Sequence, residues 1–537
     1  MIIGQRFKEL NKMEAWAASN SLSFNPSKSK IMAFSRKRNV KHPKLYLNNT
    51  ELEYVTEIKY LGVTIDQRLK WTKHLETQTK KAMIALAQGR KMIGRRWGLK
   101  PKYTHWLYTS IVRPIVTYGA VVWAHSTERK TITKKLEEVQ RLACLMITGG
   151  MKSTPTKGME TILNLPPLHI HAKGVARATY VRLTQAGTWR PKEGEPLWRN
   201  GHAIELQKWG TKNQEIHMPQ DRLHKAVRSS TTYRTEIKKR EEIKKQRPMP
   251  NDEKTIHCYT DGSKLKNARA GFFIIGTETR RYSTIHLDEG VTVFQAEIIA
   301  IIEAAKELIQ KNLREYHIKF YTDSQSAIKA AQKYCVRSKL VQECKEVLNT
   351  LANQNTVTLE WVPGHEGHMG NEVADRLAKR GTDQQNHGPS PFAPRTNGTT
   401  VNVIKKWERK QHNTEWKAIS QCRQTKLLLP EINENWSREI IRKNRSNIRK
   451  LTQILTGHAN LKRHRHIMGL EDNAVCEKCN EEEETAEHFI RKCPFFGKIR
   501  WETFGRAELS IEDLHKETIR DILLFITRTR RLEETNS

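Results

Sequence analysis

Two short apolar runs in this chain each end on an aspartate, and that pairing limits the folds open to it. Ile256-His-Cys-Tyr-Thr260 leads into Asp261 and then Gly262-Ser263, while Ile318-Lys-Phe-Tyr-Thr322 leads into Asp323 and then Ser324-Gln-Ser326. Runs of this composition bounded by turn residues read as strands. Each strand would deliver a carboxylate at its carboxyl end, the edge where α/β sheets gather functional groups. Two further acids stand in helical contexts. Glu297 lies in a stretch of strong helix formers whose apolar residues at 294, 298, 301, 302 and 305 make a buried face. Asp375 is expected to open a last helix within Gly370-Asn-Glu-Val-Ala-Asp-Arg-Leu-Ala378.

The intervening sequence completes an α/β pattern. Ala270-Gly-Phe-Phe-Ile-Ile275 and Arg281-Tyr-Ser-Thr-Ile285 continue the first strand as a meander. With a helix from Ser326 and a strand over Val357-Thr-Leu-Glu-Trp-Val362, the order is βββαβαβα, an α/β sheet with crossovers. One Asp at a strand end or helix cap is ordinary. Four acids so placed suit a different role, because two divalent ions roughly 3.5–4 Å apart can hydrolyse a phosphodiester at neutral pH. Hard Mg²⁺ prefers oxygen ligands and keeps several waters, which a small carboxylate cluster allows.

Tyr259-Thr-Asp-Gly-Ser263, Gln295-Ala-Glu297, Tyr321-Thr-Asp-Ser-Gln-Ser-Ala327 and Trp361-Val-Pro-Gly-His-Glu-Gly-His-Met-Gly-Asn-Glu-Val-Ala-Asp375 resemble type 1 ribonuclease H, all four motifs in order, over residues 253–382. The resemblance implies a mixed five-stranded sheet flanked by helices. It also implies cleavage of the RNA strand of an RNA/DNA hybrid with two Mg²⁺ or Mn²⁺ ions. Asp261, Glu297, Asp323 and Asp375 would be the metal ligands, and His365 would assist proton transfer or product release. On residue type alone, a histidine in a Gly-rich loop is equally an exposed side chain without a role.

A second cluster is sulfur-rich. Cys476-x2-Cys479-x8-His488-x4-Cys493 offers three thiolates and an imidazole at spacings that let a short knuckle close on a structural, tetrahedral Zn²⁺. The loop between Cys479 and His488 is longer than in the retroviral knuckle and holds Glu481-Glu-Glu-Glu484, which is unlike a phosphate-binding surface. Such a knuckle is expected to order its neighbours. Those neighbours are basic: Ser437-Arg-Glu-Ile-Ile-Arg-Lys-Asn-Arg445, Arg449-Lys450 and Leu461-Lys-Arg-His-Arg-His466, interleaved with Trp407, Trp416 and Trp436. That pattern suits phosphate contact with base stacking, or a solvated helix face over buried tryptophans.

Length and charge bound the remainder. A chain of 537 residues exceeds one compact core, and three or four domains are expected. With 94 Lys+Arg against 58 Asp+Glu, the formal net charge of +36 attracts a polyanion, and RNA and DNA are the obvious partners. No apolar stretch approaches bilayer-spanning length and the first residues lack a signal-peptide core, so no membrane partner and an intracellular location are expected. Basic clusters such as 238–247 fit nuclear import as well as an ordinary linker. Eight dispersed cysteines do not make a disulfide scaffold.

The first 180 residues read as a helical module. Ile132, Leu136, Val139, Leu142, Ala143, Met146 and Ile147 form one apolar stripe, 58–66 reads as a strand or hairpin, and Trp106 to Val122 as a helix broken near Pro114. Leu22-Ser-Phe-Asn-Pro-Ser-Lys-Ser-Lys30, Tyr60-Leu-Gly-Val-Thr-Ile-Asp66 with Trp71 and His74, and Pro114 with Tyr118-Gly119 and Trp123 are similar to the palm end and thumb of reverse transcriptases. The likeness is to Jockey-class non-LTR retrotransposons, whose polyproteins can carry ribonuclease H and a terminal Cys-Cys-His-Cys knuckle. Reverse transcriptases hold the polymerase metals on a paired Asp-Asp, and this sequence contains none. The expectation is therefore the carboxy-terminal part of such a polyprotein, without polymerase activity and with the missing polymerase portion as a partner. Its divisions would be a palm-end and thumb remnant (1–180), a charged linker (181–252), the ribonuclease H domain (253–385), a Pro-rich linker (386–400) and a basic helical region with the knuckle (401–537, knuckle 476–493). A silent nucleic-acid-binding fragment is the alternative.

Overall fold

The computed structural model describes residues 2–34, 42–94, 97–188, 202–212, 218–223, 225–241, 253–264, 267–276, 279–288, 290–364, 366, 368–380 and 393–533. The chain divides into two compact units, Met1–Arg177 with Lys405–Ser537, and Ala178–Ile404. The second carries both strands expected to end on an aspartate. Its main elements are β1 (Arg234–Glu236), β2 (Thr255–Lys264), β3 (Ala268–Ile275), β4 (Arg280–His286), α1 (Val293–Gln310), β5 (His317–Thr322), α2 (Gln325–Gln332), α3 (Lys339–Ala352), β6 (Thr356–Trp361) and α4 (Met369–Arg380).

The strand order is β4-β3-β2-β5-β6-β1. The first three strands form an antiparallel meander, and β5, β6 and β1 add in parallel. Thr260 pairs with Thr322 across the parallel β2–β5 ladder. The next residues, Asp261 and Asp323, therefore stand at the same level; Asp323 follows the end of β5, but β2 does not end at Asp261 as expected, because residues 261–264 go on pairing with β3. α1 begins at a capping box, in which Thr292 and Gln295 satisfy each other's backbone amides. Its Ile298, Ile301, Ile302, Ala305 and Leu308 are buried in the core with Ile256, Cys258, Ile318, Phe320 and Leu359.

Three expectations change. The sheet has six strands, because Arg234–Glu236, in the stretch read as a charged linker, adds to β6; Lys238 Nζ, 2.8 Å from the Glu360 carboxylate, ties the following residues to the same strand. A helix absent from the expected order, α3, follows α2; its start at Ser338, which accepts from the Val341 amide, and its buried Leu340, Val341, Cys344, Leu348 and Leu351 were the signals. Residues 386–392 of the Pro-rich stretch lie outside the described residues, as do 242–247 of the basic tether. The part of the Pro-rich stretch from residue 393 on is not a free linker but packs on the sheet unit. The fully buried Gln295 donates to the Pro394 carbonyl at 2.6 Å, which meets the need of a buried amide for a partner.

In the first unit, residues 57–66 form an antiparallel hairpin, Glu57–Tyr60 with Val63–Asp66, and the apolar stripe lies on the helix Lys130–Thr148. The helical run through Pro114 does not break there. A single π-turn over Tyr108–Val112 precedes the proline, and the chain turns at Tyr118-Gly119, where Gly119 has φ +67°. Widening the turn ahead of a proline relieves its clash with the preceding carbonyls.

The carboxy-terminal region, read as separate from the amino-terminal one, packs in the same unit. Arg445, part of the basic run expected to meet phosphate, is instead buried. It donates to the Leu99 carbonyl (2.6 Å), the Met146 carbonyl (3.1 Å) and Thr104 Oγ1 (2.8 Å). Trp416 is buried with its Nε1 on the Leu429 carbonyl, and Arg177 stacks on the Trp407 ring at 3.4 Å. The tryptophans at 407 and 416 thus serve packing. Among the described residues no helix is long and apolar enough to cross a membrane.

Because charged hydrogen bonds contribute roughly 1.5–3 kcal/mol and an unpaired buried carbonyl adds its own cost, Arg445→Ala should destabilise this unit by on the order of 3 kcal/mol. Urea unfolding of the variant against wild type checks this. An unchanged midpoint would mean that Arg445 does not hold the two regions together.

Candidate functional site

The strand register brings Asp261 and Asp323 side by side, and one close approach brings in Glu297. A Cβ on Gly262 would stand 2.4 Å from the Glu297 backbone nitrogen. Only glycine lets α1 lie on β2 at that point. In the result, one carboxylate oxygen each from Asp261, Glu297 and Asp323 falls within 4.8 Å of the others. The Gly262 backbone amide offsets part of the rise in the pKa of both Asp261 and Glu297, and Thr322 Oγ1 lies 3.4 Å from Glu297 Oε2. The Trp361 indole donates to the Asp323 carbonyl at 3.0 Å, fixing the end of β5.

Asp375 stands apart from this triad. It lies in the middle of α4 and does not open it, and Lys379 Nζ, one turn on, is 2.7 Å from its carboxylate. Its charge still reaches Asp261 and helps to raise that residue's pKa. α4 itself lies against the sheet because Gly271, the register partner of Asp261, leaves room; a Cβ there would be 2.6 Å from the Ala378 nitrogen. His365 lies outside the described residues. Its neighbour Gly364 passes so near Asp323 that a Cβ would be 2.6 Å from Oδ2.

Burial, and then the charges of Asp323 and Asp375, push Asp261 up to about 7. Burial, and then Asp261 and Asp323, push Glu297 up to about 9. Carboxylates so close resist joint ionisation unless a cation sits among them, and an all-oxygen donor set suits a hard divalent ion. The residues therefore fit such an ion.

The sulfur cluster also assembles. Cys476, Cys479, His488 and Cys493 place ligand atoms within 4.8 Å of one another. Cys476 Sγ is 3.9 Å from Cys493 Sγ, and Cys479 Sγ is 3.3 Å from His488 Nε2. Zinc–sulfur bonds of about 2.3 Å at tetrahedral angles would set sulfurs about 3.8 Å apart, so the cluster fits that geometry. Burial, and then Cys476, push the Cys493 thiol up to about 12, a strain that a bound cation removes. Two residues of the acidic run 481–484 support the cluster. Glu482 Oε2 is 3.1 Å from His488 Nδ1, which turns Nε2 toward the sulfurs. Glu484 takes a two-pronged pair from Arg531, with both contacts at 2.6 Å. The acidic run was visible in the sequence, but which of its members faced inward was not.

With this geometry in place, the relatives agree. Residues 253–383 match the ribonuclease H family. Ribonuclease H of Pseudomonas entomophila is 31% identical over 147 residues, 24% of this chain and 95% of that protein. The chain belongs to the ribonuclease H family through this segment. It is also similar to the 115 kDa protein of the type-1 retrotransposable element R1DM of Drosophila melanogaster (24% identical over 201 residues, 37% of this chain, 19% of that protein). A third relative is the retrovirus-related Pol polyprotein of the type-1 retrotransposable element R1 of Nasonia vitripennis (23% over 157 residues, 28% of this chain, 47% of that protein). The chain spans between 19% and 47% of the length of these two retrotransposon relatives.

Glu297 gives the site a pH signature. Its folded value near 9, against an ordinary 4.5, means that the native state holds the proton more tightly than the unfolded chain does. Without divalent ions, stability is therefore full below about 4.5 and declines as pH rises toward about 9. Glu297→Gln should flatten that decline and raise the melting midpoint at alkaline pH by on the order of several degrees. Melting curves in EDTA across this range test it. Parallel curves for the two proteins would show that the carboxylate is not strained.

Proposed function

We propose that this chain is an endoribonuclease that hydrolyses the RNA strand of RNA/DNA hybrids, derived from a retrotransposon polyprotein. The observation that carries the reading is the triad of carboxylate oxygens within 4.8 Å, two of them level with each other on the neighbouring strands β2 and β5. Asp261, Glu297 and Asp323 would hold two Mg²⁺ or Mn²⁺ ions, with Asp375 completing the set when Lys379 yields its carboxylate. Bound there, the ions supply an activated water and neutralise the leaving oxygen. The protein's own contribution is positional. The β2–β5 register and the close approach at Gly262 hold the donors at fixed separation, and burial strengthens their pull on a cation. His365 would assist proton transfer or product release. Cys476, Cys479, His488 and Cys493 would hold a structural Zn²⁺, oriented by Glu482.

RNA/DNA hybrid, RNA and DNA are the proposed partners, in an intracellular setting and alongside the polymerase portion of the polyprotein. No polymerase activity is proposed. One observation favours a second reading, a nuclease that binds and does not cut: Asp375 is held by Lys379 outside the triad.

Cleavage of a labelled hybrid in Mg²⁺, with duplex DNA and duplex RNA as controls, separates the two. Wild type should cut only the RNA strand of the hybrid. Asp261→Asn should be slower by on the order of a thousandfold, as expected for loss of several kcal/mol of metal-borne stabilisation. Hybrid bound yet left intact by wild type in both Mg²⁺ and Mn²⁺ would replace the first reading with the second. For the sulfur site, Glu482→Gln should weaken zinc binding by about 10–100-fold, measured by competition with a chromogenic chelator. Unchanged affinity would remove Glu482 from the site.

A further inference from the structure

Residues 77–127 contain no Asp or Glu but nine Lys and Arg: Lys80, Lys81, Arg90, Lys91, Arg95, Arg96, Lys100, Lys102 and Arg113. In the structure this stretch forms most of the helix Thr72–Arg90, an isolated antiparallel bridge between Ile93 and Gly98, and the helix Pro101–Leu107. Beside the bridge, the Leu99 amide donates to the Met92 carbonyl and the Gly94 amide to the Trp97 carbonyl, both at 3.1 Å. Lys80, Lys81, Arg90, Lys91, Lys100 and Lys102 are exposed, and none of them is in an ion pair with a described acid. Three large aromatics within ten residues of chain are also exposed: Trp97 (65%), Tyr103 (53%) and Trp106 (60%). Tyr103 and Trp106 are one helical turn apart and so lie side by side, with Lys102 four residues before Trp106.

The opposite face of the second helix is anchored. Thr104 is buried and receives the Arg445 guanidinium, which also holds the Leu99 carbonyl just ahead of the helix. The aromatics are therefore presented outward from a fixed backbone. Aromatic side chains set among unpaired cations match a ligand with both π-faces and phosphates. A duplex keeps its bases stacked on one another and would leave the rings without partners, whereas a single strand offers free base faces.

We propose that residues 72–94 and 97–107 form a second nucleic-acid site, separate from the nuclease, that binds single-stranded RNA or DNA by stacking bases on Trp97, Tyr103 and Trp106 and pairing phosphates with Lys80, Lys91, Lys100 and Lys102. In a hybrid-processing chain such a site would retain the unpaired strand next to the hybrid.

The test uses the full chain and fluorescence anisotropy of labelled oligo-uridine, oligo-thymidine and a DNA duplex. Mg²⁺ and Mn²⁺ are left out throughout, without a chelator, so that the zinc site is kept and cleavage by the nuclease, active or silent, does not affect the result. Both single strands should bind more tightly than the duplex. The double variant Trp97→Ala, Trp106→Ala should weaken single-strand binding at least about tenfold, since each base–aromatic stack is worth about 1–3 kcal/mol. Trp106→Phe should retain most of the affinity. Replacing the four lysines by glutamine should lower the slope of log affinity against log salt by about 0.7 for each phosphate that is no longer neutralised. Melting curves confirm that the variants are folded. Unchanged affinity in the folded double variant, or an unchanged salt slope in the lysine variant, overturns the proposal. Duplex binding as tight as single-strand binding also overturns it, and leaves the exposed rings as a surface for a protein partner.

Discussion

Like charges held together in a largely buried place are the condition on which the rest of the ribonuclease H unit depends. Asp261, Glu297 and Asp323 would separate if the scaffold allowed it, since each gains by moving into water. Three features prevent that. The parallel ladder sets Asp261 and Asp323 level, the bare Cα of Gly262 lets the helix bearing Glu297 lie directly on the strand, and the Trp361 indole holds the end of β5. The strain is stored in the fold and relieved by a divalent cation. Metal affinity and metal-free instability are thus two consequences of one arrangement.

The sulfur site repeats this logic with softer donors. Three thiols and a histidine converge, and the outer carboxylates divide the remaining work. Glu482 orients the imidazole, while Glu484 binds Arg531 and accepts from the Lys462 amide at 2.7 Å. The knuckle thereby ties residues near the end of the chain to the basic helices before it. An acidic run that is a poor surface for nucleic acid is well suited to that task.

Charge is distributed less simply than composition suggests. Part of the +36 surplus is structural: Arg445 is buried among carbonyls, and Arg177 lies on the Trp407 ring. In the acid-free stretch after Glu76, Lys80, Lys81, Arg90, Lys91, Lys100 and Lys102 lie in solvent beside exposed aromatics, while Arg113 is buried. Where a basic residue sits in the packing decides whether it holds the protein together or is free for a polyanion.

Much of the nuclease was legible from residue order, because strand and helix periods, turn residues and acids at strand ends are local signals. Asp261, Glu297 and Asp323 could be named from their neighbours, and so could the four zinc-type ligands. Distance was not legible. The pairing of Asp375 with Lys379 four residues on is a local helix pattern, but that Asp375 stays outside the triad depends on how α4 lies over Gly271, and no local pattern carries that. The same holds for Arg445, whose partners are 299 to 346 residues away along the chain. It holds also for β1, a three-residue strand too short to have a period until β6 offers it an edge. Chemistry and element type are written in adjacent residues. Which cations are buried, which aromatics are left in solvent and which carboxylates meet depends on contacts between segments far apart in the chain, and these form only when the whole unit packs.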